Sequence, residues 1–535
     1  MNKKLFRLLL LPVSAAVITT SCKKSFDSLN SNPNVPTSVQ PSLLMNGVLY
    51  KLYDAPYTMK ERWGQYYCCN YDYYGNNQYS FGPLNNANDD AYNTLTNVLK
   101  MEQQALTSGG EAVNPYEALG KFFRAYFFSR MSLEVGDLPM NDALKGQSNL
   151  TPAYNTQKEV FVQVFKWLES ANADLTQLIS KASSNTTEGQ TLKGDFYFGG
   201  TSNPLAQWQK IVNAYRLRLL INLSKKVSDA DLNIKQQFAD IIGNPTKYPL
   251  LKDASDNLQF IYVAPTNLYP NNKNNFGNDA LRYNTSATYI GLLTSLNDPR
   301  VMVTAEPASA QVDKGVSPTS YDAFVGANPG EDLGTMYNKT NSGVYSLLNR
   351  KRYYDGYTGE PSIQIGYAEQ CFNIAEAINR GWITGDAEAS YKAGILSSMA
   401  FYGVPQAGAF NVYFLKKGAS LGTYDSYTVN VDFNTYYTQA KVAYAGNNPT
   451  GLEQILKQKY LALFRHSGLE AYYQNRRTGI PEFTVGPGTG NSQRIPKRFQ
   501  YSSAERSANA ANYNKALQSQ YGGNDDINGT MWILQ

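Results

Sequence analysis

Residues 364–403, QIGYAEQCFNIAEAINRGWITGDAEASYKAGILSSMAFYG, decide the fold. Tyr367, Cys371, Ile374 and Ile378 recur at the repeat of one helix face, and Ile365, Ala368, Phe372 and Ala375 run beside them as a second stripe. A helix apolar over so wide an arc packs between neighbours instead of resting on a single core. Gly381 supplies the stop, because glycine takes the left-handed conformation past a helix end without a Cβ penalty. The chain restarts at Thr384-Gly385-Asp386, with Thr384 or Asp386 as N-cap and Glu388 at the positive helix end. Ala387, Tyr391, Ile395, Met399 and Tyr402 then mark a second buried face, which Gly403 ends. The pattern is an antiparallel helix pair of tetratricopeptide length, about 34 residues. Such a pair cannot bury both its faces alone and requires stacked partners.

Working outward, the spacing predicts further helices over 43–52, 89–105, 116–135, 156–181, 204–227 and 451–466. In 156–181, Val160, Val164, Trp167, Leu168 and Ala171 keep the helical step. From 244 to 360 the pattern changes: Asn, Gly, Pro and Tyr dominate, and only 286–296 reads as helix, stopping at Asn297-Asp298-Pro299-Arg300. Loops this long in a compact protein usually carry function. Residues 404–450 are loop-like again, with a strand candidate at Asn411–Leu415. The expected fold is mainly α, with tetratricopeptide-like stacked helix pairs in an α-α superhelix and a long irregular, loop-rich ligand-binding part.

Of the 535 residues, 41 are Tyr, 41 Gly and 24 Pro, while only 17% are charged. The net charge of +5 is not gathered into a basic run, so nucleic acid is not expected as a partner. At the N-terminus Lys3, Lys4 and Arg7 precede an apolar run from Leu8 to Ile18, then small residues and Cys22. That order is a secretory signal whose core is too short to span a bilayer, and its end at a cysteine marks Cys22 for lipidation. Residues 1–21 are therefore read as a lipoprotein signal, 22–42 as a polar, Pro/Asn-rich tether and 43–535 as the folded body. Acyl chains on Cys22 would hold the protein to a membrane essentially permanently. Cys68, Cys69 and Cys371 read as inert buried thiols rather than a disulfide framework.

Side chains that could carry chemistry are few. The single histidine, His466, excludes most metal and nucleophile schemes. Gly418-Ala419-Ser420-Leu421-Gly422 matches the Gly-x-Ser-x-Gly elbow and precedes Asp432 and His466 in hydrolase order, but no helix pattern follows it. Glu369 and Glu376 are the best carboxylate pair for glycosidase work, and they read instead as exposed helix residues binding water or a neighbouring Arg. The informative feature is aromatic residues interleaved with amides. One set is Tyr71, Tyr73, Tyr74, Asn76, Asn77, Tyr79 and Phe81; the other is Tyr269, Asn271, Asn272, Asn274, Asn275, Phe276 and Tyr283. Aromatic rings offer flat apolar faces to sugars or peptide side chains, and Asn offers both donor and acceptor. The two loops are expected to converge into one shallow site. Packing of loops onto helices is the competing use for more than half of these tyrosines, and Tyr353, Tyr354 and Tyr357 are the fallback site.

The order of motifs resembles the SusD/RagB-type nutrient-binding lipoproteins of the Bacteroidetes outer membrane over nearly the whole chain. FDSLNSNPNVPTSVQPSLL (26–44) looks like their entry after the lipid, and VGDLPMNDAL (135–144) like their Gly-Asp-x-Pro motif. GDFYFGG (194–200) with WQKIVNAYRLRLLINLS (208–224), and LNDPR (296–300), continue the series. So do QKYLALFRHSGLEAYYQNRRTGIP (458–481) and RIPKRFQYSSAERSANAANYNKAL (494–517). The resemblance implies a single SusD-like solute-binding domain and no enzyme activity. It implies a lipid-anchored protein of the outer membrane, facing the exterior, that passes an oligosaccharide or peptide to a SusC-like TonB-dependent transporter. A surface glycosidase, or a structural or adhesive partner of the transporter, are the alternatives. No cofactor is expected, and the sequence leaves open whether a loop holds structural Ca²⁺.

Overall fold

Three long helices start at the same dipeptide. In the computed structural model, which describes residues 39–84, 91–182, 192, 194–465 and 468–535, Asn114, Asn203 and Asn448 each cap a helix whose first turn begins with the following Pro. Asn114 Oδ1 accepts from the backbone N–H groups of Tyr116 and Glu117, each at 3.0 Å, and Asn203 and Asn448 do the same work further on. The helices are α1 (Pro41–Leu49), α2 (Ala91–Thr107), α3 (Pro115–Val135), α4 (Gln157–Ala182), α5 (Pro204–Asn222) and α6 (Ile234–Gly243). Then come α7 (Ala287–Ser295), α8 (Leu333–Asn341), α9 (Tyr367–Asn379), α10 (Ala387–Phe401), α11 (Pro449–Ala462) and α12 (Glu470–Thr478). Chain neighbours α2 to α5 pack in series; α9 then packs on α5, α10 and α11, giving the stacked-pair architecture. No helix among the described residues is long and apolar enough to cross a membrane.

Strands are few, and all but the last two are short: β1 (Tyr67–Cys69), β2 (Leu138–Pro139), β3 (Tyr154–Asn155), β4 (Leu258–Phe260), β5 (Tyr283–Thr285), β6 (Ser362–Ile365), β7 (Ala407–Leu415) and β8 (Tyr424–Asp432). They form antiparallel pairs β1–β5, β2–β3, β4–β6 and β7–β8. Helix α6 and several short helices in 244–360, α8 among them, were not expected from the sequence, although in α6 Ile234, Phe238 and Ile241 keep the helical step and are buried. The helix expected to 227 ends as α5 at Asn222, and Lys225 and Lys226 lie in a separate 3₁₀ turn.

Helix α9 bears out the two-stripe reading. Tyr367 and Ile374 pack against a core built on α2 to α6, and Phe372, Ala375 and Ala368 against a second core shared by α7, α10, α11 and the β7–β8 ribbon. Ile365 joins the first core from strand β6 rather than from the helix, and Ile374 is only half-buried. Gly381 and Gly403 close α9 and α10 with φ of +68° and +75°, and Asp386 caps α10 by accepting from the N–H of Ala389. Glu369 and Glu376, read as exposed, are buried, because a helix surrounded on all sides also buries its polar arc. Arg218 of α5 forks onto Glu369, Lys459 of α11 donates to Asn373 at 2.7 Å, and Arg477 of α12 pairs with Glu376. Burial pushes the Glu376 carboxyl up, but Arg477 and then Arg380 outweigh it and hold it at about 2.

In other carboxyls the partners present do not outweigh burial. Burial lifts Glu61 to about 7 against the pull of Arg465, Glu102 to about 7, Asp137 to about 6 and Asp279 to about 6. A carboxyl whose pKa is raised by folding binds its proton more tightly in the folded state. Its contribution is present below the ordinary carboxylate pKa and lost as pH rises through 6 to 7. Glu376 acts oppositely: its contribution is lost only as pH falls toward 2. Stability should therefore be greatest near pH 5 and fall toward pH 8, with Glu61 alone accounting for up to about 3 kcal/mol. Thermal melts across that range check this: Glu61→Gln should flatten the slope, and a wild-type melting temperature that rises from pH 5 to 8 would contradict it.

Candidate functional site

Strand β1 lies antiparallel to β5 with Cys69 opposite Tyr283, and the Asn70 N–H donates to the Arg282 carbonyl at 3.0 Å. This ladder zips together the two aromatic loops that the sequence singled out. Past β1 the chain folds into a 3₁₀ turn, Asp72–Tyr74, and leaves it at Gly75 with φ of +129°. That positive φ favours glycine, and a Cβ there would sit 2.6 Å from the Arg62 guanidinium and push it aside. Arg62 in turn donates to the Asn76 carbonyl at 2.8 Å. Asn77 returns its amide to the strand: its Oδ1 accepts from the Cys69 N–H and its Nδ2 donates to the Cys69 carbonyl, both at 2.8 Å.

Pinned in this way, the turn presents its tyrosines outward. Tyr73 is 85% exposed, Tyr71 40% and Tyr74 half-buried. The Arg282 guanidinium stacks over Tyr71 at 4.7 Å and lies 6.0 Å from the Tyr74 ring. Tyr337 of α8 brings its ring to 5.4 Å from Tyr71, and Tyr73 meets Tyr74 edge-on at 5.3 Å. The product is a shelf of four tyrosines with one guanidinium laid across it, bordered by exposed Leu281. Arg282, Tyr337 and Leu281 were missed by the sequence reading, although the place of Arg282 beside Tyr283 was a usable signal.

The remaining expected residues are placed otherwise. Tyr79 is buried and donates to the Trp63 carbonyl at 2.9 Å, and Phe81 stacks on Phe499 at 4.0 Å. Tyr269 is 1% exposed. Asn272 donates to the Tyr269 carbonyl and Asn271 to the Tyr354 hydroxyl, both at 2.8 Å, so these amides hold their own loop. Tyr283 is half-buried against Tyr57 and Tyr67, and burial pushes its hydroxyl to about 12. Phe276, half-buried, meets Tyr354 at 5.9 Å; the Asn76 side chain accepts from the Gln78 N–H at 3.0 Å. Asn274 is exposed and accepts from the Tyr357 hydroxyl at 3.3 Å, while Asn275 donates to the Pro270 carbonyl at 3.0 Å. Tyr353 and Tyr354 of the fallback site are buried, leaving Tyr357 half-exposed.

Among the described residues the catalytic patterns do not assemble. Gly418 and Gly422 lie in the loop 416–423 of the β7–β8 hairpin, with no helix behind Ser420, and Asp432 caps a short helix through the Thr435 N–H. His466, like Cys22, lies outside the described residues. Glu369 and Glu376 are bound up in ion pairs with arginines, so neither is a raised-pKa acid in a cleft. The three described cysteines are free and buried, and burial pushes their thiols up.

Residues 33–502 match the model of a family described as starch-binding and associating with the outer membrane. A SusD homolog from Bacteroides fragilis is 32% identical, with 93% of this chain and 100% of that chain covered and a TM-score of 0.78. A second SusD homolog from Bacteroides fragilis is 26% identical over 93% of this chain and 100% of that chain, with a TM-score of 0.74. A chitin-binding SusD homolog from Flavobacterium johnsoniae shares the fold at 20% identity and a TM-score of 0.65, with coverage of 92% and 97%. No curated protein matches the chain.

Proposed function

Because the chain belongs to the SusD-like family, we propose that it is a glycan-binding lipoprotein of the outer membrane that captures an oligosaccharide at the Tyr71–Tyr73–Tyr74–Tyr337 shelf. The observation that carries this reading is the outward presentation of these rings on a braced turn, with Arg282 across them. Flat rings take the C–H faces of sugar residues, and the guanidinium donates to hydroxyls. A rigid platform loses little freedom on binding. Stacking with one or two hydrogen bonds would supply about 4–6 kcal/mol, hence dissociation constants from about 1 mM down to tens of micromolar. Weak, reversible binding suits delivery of cargo to a SusC-like TonB-dependent transporter, the partner proposed with this reading.

Titration calorimetry of the mature protein against neutral oligosaccharides and a peptide pool tests the proposal. Tyr73→Ala and Tyr74→Ala should each weaken oligosaccharide binding by about tenfold while leaving helicity and melting temperature near wild type. Normal binding by both variants would place the site elsewhere, and binding of peptides alone would change the cargo class. We also propose that residues 1–21 are removed and that lipid on Cys22 anchors the body through the segment ahead of α1. Cys22→Ala should then move the protein out of the membrane fraction; unchanged fractionation would refute the anchor.

A further inference from the structure

Beside the shelf runs a groove of about 680 Å³ between the Phe276–Leu281 segment, the C-terminal end of α8 and the β7–β8 hairpin. We infer that shelf and groove form one binding track, and that the ligand is an extended, uncharged oligosaccharide occupying both; the inference rests on the glycan-binding reading above. Continuity comes from two elements that serve both sites. Leu281 lines the groove and is followed by Arg282, which lies across the shelf. Thr340, also in the groove, is one helical turn beyond Tyr337, an axial step of about 4.5 Å. The Thr340 hydroxyl donates to Asn284 Oδ1 at 2.9 Å, fixing α8 to the strand that carries Tyr283.

The groove's chemistry repeats that of the shelf. Tyr427, backed by buried Phe414 with ring centroids 5.8 Å apart, offers a second aromatic face. Asn341 and Ser342 at the α8 terminus are exposed and offer an amide and a hydroxyl. Size is apt for a small polar ligand, since binding clefts fall in the range of about 300–1,000 Å³. Charge selects further. Lys417 at the groove is paired with Asp313 at 2.6 Å, and Arg350 is paired with buried Glu306. Lys416 and Asp425 add one charge of each sign, so the lining has no net charge with which to attract an acidic polymer. The far wall is braced, because Asn349 donates to the Tyr413 carbonyl at 3.1 Å and the Leu415 N–H reaches Glu306 at 3.4 Å. A wall held in place before binding limits the ordering cost.

Calorimetry of the mature protein with a neutral series from disaccharide to heptasaccharide, of both starch-type and chitin-type linkage, reads the track directly. Affinity should rise by about tenfold or more between the shortest and longest chains. Tyr427→Ala, or Asn341→Ala should the first variant misfold, should bring the long-chain affinity down toward the short-chain value, whereas Tyr73→Ala should weaken every length. Affinity independent of length, or a length gain that survives both groove variants, would overturn the track while leaving the shelf standing. Loss of effect at Tyr73 would instead overturn the shelf, and absence of binding by any oligosaccharide would overturn both. An oligogalacturonate that binds more tightly than neutral chains of equal length would overturn the assignment of an uncharged ligand.

Discussion

Replacing Arg300 with leucine is expected to destabilise the protein by about 3–5 kcal/mol. Arg300 and Asp298 are fully buried, at 0% exposure each. Arg300 Nε donates to Asp298 Oδ1 at 2.9 Å and Nη2 to Oδ2 at 2.6 Å, a bidentate pair. The same guanidinium reaches Ser398 on α10 at 2.8 Å and Gln458 on α11 at 2.7 Å. Tyr436 donates to Asp298 at 2.7 Å and accepts from Gln458 at 2.8 Å, closing the network. The turn after α7 is thus clamped to both helices of the second core, and removing the cation would strand a carboxylate in a medium that solvates it poorly. Urea unfolding of Arg300→Leu checks the figure. Adding Asp298→Leu to that variant should recover part of the loss, because the stranded charge then disappears. A single variant within about 1 kcal/mol of wild type would mean that water reaches Asp298 and the clamp is dispensable.

That clamp marks where the sequence was legible and where it was not. Asn297-Asp298-Pro299-Arg300 reads as the end of a helix, and it is one: α7 closes at Ser295. That the same residues form the polar centre of a core is invisible in one dimension, because their partners lie about 100 to 160 residues away. The same division holds for α9. Its two apolar stripes, its glycine stop and the Asp386 cap of α10 are local events, and each is where the spacing puts it. The burial of Glu369 and Glu376 depends on which helices close around α9, and a periodicity does not report that. Short helices such as α8, nine residues long, repeat their covered positions Leu333, Met336, Tyr337 and Thr340 for only two turns, too brief a period to stand out among polar neighbours. The candidate site follows this logic. Aromatic and amide composition pointed to two loops, but what joins them is a three-residue ladder between strands more than 200 positions apart, too short for an alternation to register. Composition also could not sort Tyr73, which faces water, from Tyr79 and Tyr269, which hold the loops down.

Tyr269→Ala, the second large effect, tests that sorting. Tyr269 was expected to touch ligand, yet its ring sits edge-on to Tyr262 at 5.0 Å and to Tyr57 at 6.1 Å, 1% exposed. Gly359, with φ of +50°, covers it so closely that a Cβ there would come within 2.3 Å of the ring. The Tyr269 backbone N–H donates to the Tyr357 carbonyl at 2.8 Å, tying its loop to the segment that follows the buried pair Tyr353 and Tyr354. Truncating a buried aromatic loses both its transfer energy and the contacts around the void, so Tyr269→Ala should cost about 3–5 kcal/mol. Tyr269→Phe keeps the ring and should stay near wild type, since the hydroxyl has no hydrogen-bond partner within the protein. Tyr73→Ala should behave oppositely, with unchanged melting and weakened glycan binding, because an 85% exposed ring contributes little to folding. Melting and calorimetry on the same three variants separate the two roles. Should Tyr269→Ala melt like wild type while losing ligand, the ring would be a ligand contact after all, and the site would lie deeper, between Tyr57 and Gly359, than the shelf.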